Sequence, residues 1–363
     1  MKTYLPNLYA LRFFLSMVVV NAHIPLVSKR LDFPFFNDAA IYFKGYLAVY
    51  YFFTLSGFLI IRLVYHELKT TGSFNFKKFY LRRIQRLYPV YYLVFLIGIL
   101  AYHLVLPALD VAFKTDYPIG ELIVSYVFLA PNVFNTFYPE VGGILGVLWS
   151  IGVEEQFYLV VPLIMFLGRK WLMWTLLATL GILLIVLLRL PEFYMFRNFY
   201  FYFLAGGLMA IVAEKWRFKL FTYTWFHLLV FACFVASFVM NRFSAHFNIF
   251  DHGIQLLVSS LFITLISYYP KISLSNPFLN YLGKISYGIY MYHMIVITGF
   301  LYAFQAMGLQ EALPSGLFPV LLTALVFGMT ILVASLSYQH FEKRFYTPRT
   351  FDQKNKPKVA AQD

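Results

Sequence analysis

Residues 8–27 read LYALRFFLSMVVVNAHIPLV, an apolar run interrupted by one arginine, Arg12, and one histidine, His23. A run of this length spans the roughly 30 Å of bilayer hydrocarbon as a helix rising about 1.5 Å per residue. Ionisable groups inside such a span are expensive and mark functional sites by default. Eleven residues at about 100° each come to about 1100°, so Arg12 and His23 fall within about 20° of one helix face, about 16 Å apart along the axis. They share a face without touching.

The rest of the chain has the same character. Of 363 residues, 61% are hydrophobic and 12% charged, and the mean hydropathy is +0.71. A water-soluble core of this size cannot bury that much apolar surface, so the composition predicts an all-α, polytopic transmembrane helical bundle. Apolar runs of span length fall at 8–28, 46–65, 88–107, 144–167, 171–190, 197–213, 223–240, 253–269, 283–304 and 317–340, which gives ten expected spans. The apolar segment 119–134 is short and bounded by Pro118 and Pro131, and is expected to be re-entrant or interfacial. No repeat of 20–50 residues is present. One membrane domain, 1–346, is expected, followed by a polar tail, 347–363, without stable structure.

A net charge of +13 does not point to nucleic acid, because the basic residues alternate along the chain between the expected spans instead of clustering on one soluble face. They set the topology. With the N-terminus cytoplasmic, most of the 29 Lys and Arg residues fall on the cytoplasmic side; Lys29, Arg30, Lys44, Lys114, Arg189, Arg197 and Arg242 fall on the other. Both termini are therefore expected inside a multi-pass cell (inner) membrane protein. No small-residue cleavage site follows the first apolar run, so it is expected to stay as a span. The one cysteine, Cys233, excludes an internal disulfide or a cysteine metal cluster and is expected to be a small packing residue.

Four constellations carry chemistry. In FKKFYLRRIQRLYPVYY, residues 76–92, Arg82 and Arg86 are four apart and Arg83 and Arg86 three apart, so a helix ending near Pro89 gathers them into a basic edge. Guanidinium forks there suit a polyphosphate, and positive-inside charge explains the same pattern. In LWSIGVEEQFYLVVP, 148–162, about 100° separates Glu154 from Glu155, so one is expected to face the bundle and the other loop or headgroups. An inward carboxylate orients an imidazole, anchors a hydroxyl or pairs with arginine. In LGKISYGIYMYHMIV, 282–296, His293 lies among Tyr287, Tyr290 and Tyr292, as a packing residue or a substrate contact. In SLSYQHFEKRF, 335–345, capping and topology account for Glu342, Lys343 and Arg344. The spacing His246 to Asp251 matches an H-x4-D pattern by chance, since eight histidines make such a hit common. No plausible metal set appears.

Six blocks, in order, resemble the acyltransferase 3 family of integral membrane acyltransferases: Arg12 with His23, YFFTLSGFLI at 51–60, RRIQRLYP at 82–89, LWSIGVEEQFYLVVP, LGKISYGIYMYH at 282–293, and SYQHFEKRF at 337–345. The resemblance covers residues 5 to about 346. It implies a ten-helix enzyme that takes an acyl group, commonly acetyl, from cytoplasmic acyl-coenzyme A and passes it to a hydroxyl on an extracytoplasmic or lipid-linked glycan. It implies that His23 is the catalytic base, that Arg12, Arg83 and Arg86 meet the donor with Arg82 beside them, and that Trp149, Ser150 and Glu154 form the W-S-x-x-x-E block. Ser56 and Gly57 are expected to support close helix packing. Lys343, Arg344 and Phe345 depart from a frequent Arg-Pro pair, and no esterase-like SGNH domain is expected in this chain.

The expected division of labour follows from the first span. Arg12 near the cytoplasmic end meets the phosphates of the donor, His23 lies in the outer half, and a pantetheine arm bridges them. A neutral His23 takes the acceptor hydroxyl proton, with Glu154 holding the imidazole tautomer or the acceptor. Trp149, Ser150, Tyr287 and His293 are candidate substrate contacts, and direct transfer or an acyl-enzyme through Ser150 or His23 are both open. A secondary transporter or lipid-linked glycan flippase is the alternative, since intramembrane Arg, His and Glu suit it equally. The paired halves typical of transporters are not visible.

Overall fold

The computed structural model describes residues 5, 7–36, 39–109, 111, 115–189, 194–243, 248–308, 314 and 316–346, with side chains described except at 187–188 and 194–198. The expected tail 347–363 and His246 lie outside these residues. Fourteen α-helices carry the description. The long ones are α1 (Leu8–Arg30), α2 (Gly45–Thr71), α3 (Phe76–Leu100), α7 (Trp149–Leu167), α8 (Leu172–Arg189), α9 (Tyr194–Lys215), α10 (Thr224–Val239), α11 (Ile249–Tyr268), α13 (Ser286–Ala306) and α14 (Leu317–His340). Between them lie the short α4 (Ile119–Val127), α5 (Pro131–Phe137), α6 (Gly143–Gly146) and α12 (Pro277–Lys284). Neither strand nor sheet occurs among the described residues.

Among the described residues, eight helical segments are long and apolar enough to cross a membrane. Of the ten expected spans, the two outside that set are α9 and α10, the latter only 16 residues long. The helix ends follow local chemistry. Asn75 caps α3 by accepting from the Lys78 amide at 2.9 Å, and Gly72, at φ 71°, closes α2 in the left-handed conformation that side chains resist. Asn248 and Asp251 form a reciprocal capping box at the start of α11, and Arg242 donates to Asp251 at 2.9 Å.

α1 is the hub, packed against α2, α12 and α13, while α2 lies along α9. The α2–α9 crossing is close because both sides are glycine. A side chain at Gly57 would overlap the Phe203 backbone, and one at Gly206 the Thr54 backbone. Small residues that let backbones approach are the usual glue of membrane helices, so the expected packing role of Gly57 holds.

Two expectations are corrected, for Pro89 and for Cys233. α3 does not end near Pro89; the helix runs through it and continues by a π-helical turn, Ala101–Val105, and Leu106–Ala108. Pro is tolerated inside a bundle where neighbouring helices hold the chain, and Tyr287 anchors this stretch of α3 by donating to the Leu87 carbonyl at 2.8 Å. Segment 119–134 is, as expected, no full span: it holds the short α4 and the start of α5, separated at Leu129, whose φ is 58°. Cys233 is exposed on α10 and is no core packing residue.

Candidate active site

One face of α1 reaches two cavities. Arg12 lines a small one of about 60 Å³, together with Arg83 and Arg86 of α3, Ser56 of α2, Ser150, Glu154 and Tyr158 of α7, and Tyr287 and Tyr290 of α13. His23 lines a larger one of about 440 Å³ with Arg30, Tyr46, Tyr102, Trp149, Phe199 and Tyr302, and with Asn132, Asn135 and Thr136 of α5. The shared helix face expected from the spacing therefore holds, and Arg30, seven residues past His23, adds a third group to it.

The small cavity is a cluster of guanidiniums with internal carboxylates. Ser56 and Tyr158 both donate their hydroxyls to Glu154. The Arg83 guanidinium lies over the Tyr158 ring, 5.2 Å from its centroid, and over Phe79 at 5.5 Å. Arg12 Nε and Arg83 Nε are buried with no hydrogen-bond partner, and so is Glu155 Oε1. The ion pairs found among the described residues are Arg62–Glu214, His66–Glu214 and Arg242–Asp251, none of them at this cavity. A buried donor on a cation left without an acceptor costs about 1–3 kcal/mol or more, so these nitrogens suit an incoming anion.

Arg82 is exposed and does not line the cavity. On α3 it falls outside the Arg83–Arg86 edge, so the expected three-arginine cluster holds for two. Glu155 departs from expectation in the other direction. It is 3% exposed, so both carboxylates of the pair turn into the bundle. Helices α2, α5, α8 and α9 pack against α7, and side chains of α3 and α13 also reach it, Phe79 against Tyr158 and Tyr290 on Ser150.

At the larger cavity, His23 Nδ1 lies 2.8 Å from the Val19 carbonyl. A ring nitrogen facing a carbonyl carries the hydrogen, so Nε2 is left as the basic nitrogen. Val19, and not Glu154, thus sets the tautomer; Glu154 lines the other cavity, held by Ser56 and Tyr158. His293 is fully buried beside His23, with ring centroids 4.8 Å apart at 62°. Trp149 packs against Phe199 at 4.9 Å and lies 6.0 Å from Tyr46, forming an aromatic wall.

A thin polar seam joins the cavities. Ser150 Oγ and the Tyr290 hydroxyl are 2.6 Å apart, and Tyr290 also donates at 3.1 Å to the carbonyl of Val147, a lining residue of the larger cavity. Of the expected substrate contacts, Trp149 therefore lies in the larger cavity, Ser150 and Tyr287 in the smaller, and His293 behind His23. Among the described residues no group of three His, Cys, Asp or Glu has the arrangement of a metal site.

Sequence reasoning did not single out Tyr158, Glu155, Arg30 or the α5 amides. Tyr158 is one helical turn from Glu154, a spacing that would have found it. Asn132 and Asn135 carried no signal, since their place depends on the break at Leu129. Asn132 exchanges hydrogen bonds with Gln156 at 2.9 and 3.2 Å, and Asn135 accepts from Tyr126 at 2.7 Å.

Residues 5–339 match the Acyl_transf_3 family, described as an acyltransferase domain. A Staphylococcus aureus (strain COL) protein provisionally named an O-acetyltransferase is 27% identical over 340 residues, covering 83% of this chain and 52% of its own length. The peptidoglycan O-acetyltransferase OatA of Listeria monocytogenes is 26% identical over 332 residues, covering 82% and 50%. A protein of Acidianus two-tailed virus provisionally named an acetyltransferase is 28% identical over 319 residues, covering 81% and 84%. The chain spans about half the length of these two bacterial relatives. No solved structure matches it. With the family match running from the start of α1 to the last turn of α14 and taking in both cavities, the chain belongs to the acyltransferase 3 family.

Proposed function

We propose that the chain is a membrane O-acyltransferase that moves an acetyl group from coenzyme A, arriving at the Lys/Arg-rich cytoplasmic end, to a hydroxyl of an extracytoplasmic or lipid-linked glycan held in the larger cavity. The observation that carries this function is the single face of α1 that presents Arg12 to one cavity and His23 to the other. Arg12, Arg83 and Arg86 are the donor contacts, and the unpartnered buried Nε atoms of Arg12 and Arg83 fit phosphate oxygens. His23 Nε2 is the base that takes the acceptor proton. The wall of Trp149, Tyr46 and Phe199 suits stacking on a sugar face.

The donor side must widen. A cavity of about 60 Å³ is well below the roughly 300 Å³ at which small-molecule sites begin, so side chains around Arg12 move when the thioester arrives. The larger cavity, at about 440 Å³, already has the volume of a sugar site. The OatA relative makes peptidoglycan the first acceptor to test.

The test is mass spectrometry of envelope glycans from cells with the gene, without it, and with His23→Ala. Acetyl esters that vanish in both the deletion and the variant, with the variant still inserted, support the enzyme. Esters unchanged in the deletion would remove it. A transporter or flippase would instead redistribute the glycan across the membrane and release no free coenzyme A.

A further inference from the structure

We infer that His293 is a second base that acts through His23, a positioning residue that receives the proton His23 takes from the acceptor; this rests on the acyltransferase function proposed above. Each imidazole is tethered in the same way. His23 Nδ1 faces the carbonyl of Val19 at 2.8 Å, four residues back, and His293 Nδ1 faces the carbonyl of Tyr290 at 2.5 Å, three residues back. Both rings therefore carry hydrogen on Nδ1, and both can gain a proton only at Nε2.

The two Nε2 atoms differ in surroundings. His23 lines the larger cavity, where an acceptor hydroxyl arrives. His293 is 0% exposed, lines neither cavity, and its Nε2 is buried without a hydrogen-bond partner. A bare buried acceptor is costly to keep unless a donor reaches it in some state of the molecule. The group in edge contact is the His23 ring, at 4.8 Å between centroids. In the resting state both rings are acceptors at Nε2, so no bond forms between those atoms; once His23 is protonated, it becomes the donor that His293 lacks.

The reaction then balances. The acceptor oxygen bonds to the thioester carbon as its proton moves to His23 Nε2. The C–S bond breaks, its electron pair leaves on sulfur, and the proton passes to His293 Nε2, so that the charge created at His23 is shared within the pair. The proton then returns to the thiolate, giving the acetyl ester and coenzyme A thiol, with both imidazoles neutral. His293 contacts the reacting atoms only through His23, which also carries the proton back to the thiolate in that last step.

The test uses membrane vesicles that hold the full chain and the host's own envelope glycan, supplied with radiolabelled acetyl-coenzyme A. Three proteins are compared: wild type, His293→Asn, which keeps an amide donor for the Tyr290 carbonyl but has no base, and His293→Gln, which puts a non-basic atom near the Nε2 position. Both variants should lose about 100-fold in transfer rate, the lower end of general acid–base contributions, while the dissociation constant for acetyl-coenzyme A stays within about threefold of wild type. Full rate in His293→Asn, or donor binding lost in step with rate, would overturn the assignment. Vesicles in which wild type transfers no label overturn the acyltransferase function itself, a separate outcome.

Discussion

The hydroxyls of Ser150 and Tyr290 are hydrogen bonded at 2.6 Å, each on a residue lining the arginine cavity, and Tyr290 donates on to Val147 in the wall of the histidine cavity. Ser150 is thus engaged by a phenol and not by an imidazole. A serine nucleophile needs a base within hydrogen-bond reach. None of the recorded Ser150 side-chain bonds involves His23, His293 or a carboxylate.

Ser150→Ala is therefore expected to keep at least about a tenth of the transfer rate and to lose about 1 kcal/mol of stability through the lost hydrogen bond to Tyr290, whose hydroxyl still donates to Val147. Intact-protein mass spectrometry after incubation with acetyl-coenzyme A should find no acetylated Ser150 in wild type. An acyl adduct there, with turnover abolished in the alanine variant, would reinstate the covalent route.

The arginines divide by their place on α3. Arg83 and Arg86 line the cavity beside Arg12, and Arg82 is exposed. Charged hydrogen bonds to phosphate contribute about 1.5–3 kcal/mol each, or roughly ten- to 100-fold. Titration of acetyl-coenzyme A should show Arg83→Ala and Arg86→Ala weakened by at least about tenfold, and Arg82→Ala within about twofold. Equal losses in all three would mean that the donor lies across the outer surface of α3 and not in the cavity.

Much of this arrangement is visible in the primary structure, for physical reasons. Span positions follow from apolar runs, and the Arg12–His23 face follows from helical period alone, because both groups sit on one unbroken helix. What period cannot give is the way helices cross. Pro89 reads as a stop, yet α3 runs through it, and the helical period turns one of Glu154 and Glu155 outward, whereas the bundle takes in both. Arg82 and Arg83 differ by about 100° in direction, and only packing decides which of them enters the bundle. The contact between His23 and His293 joins α1 to α13 across 270 residues, and no local pattern encodes it.

The α2–α9 crossing makes a steric prediction. A methyl at Gly57 would collide with the Phe203 backbone, which has no rotamer to relax into, whereas the space around Gly181 on α8 is open. Gly57→Ala should destabilise by about 1–3 kcal/mol, the usual cost of overpacking, and Gly181→Ala should be neutral or slightly stabilising through helix propensity. Thermal unfolding in detergent separates the two. Equal melting curves would mean that α2 and α9 are further apart than the glycine pair implies.

Glu214 of α9 is the hub of a second charged cluster, whose members line neither cavity. Arg62 donates to it at 2.8 Å from α2, Tyr268 at 2.6 Å from α11, and His66 lies 2.5 Å from its other oxygen. Three helices meet at one carboxylate whose side chain is 15% exposed. Removing one member of a buried pair leaves the other charge uncompensated and costs about 3–5 kcal/mol, whereas an amide of the same shape keeps part of the hydrogen bonding. Glu214→Ala should therefore lower the unfolding temperature more than Glu214→Gln, and donor affinity measured on the protein that remains folded should match wild type in both. A selective loss of acetyl-coenzyme A binding, with stability unchanged, would instead make Arg62 a donor contact and move the phosphate site from α1 and α3 to the end of α2.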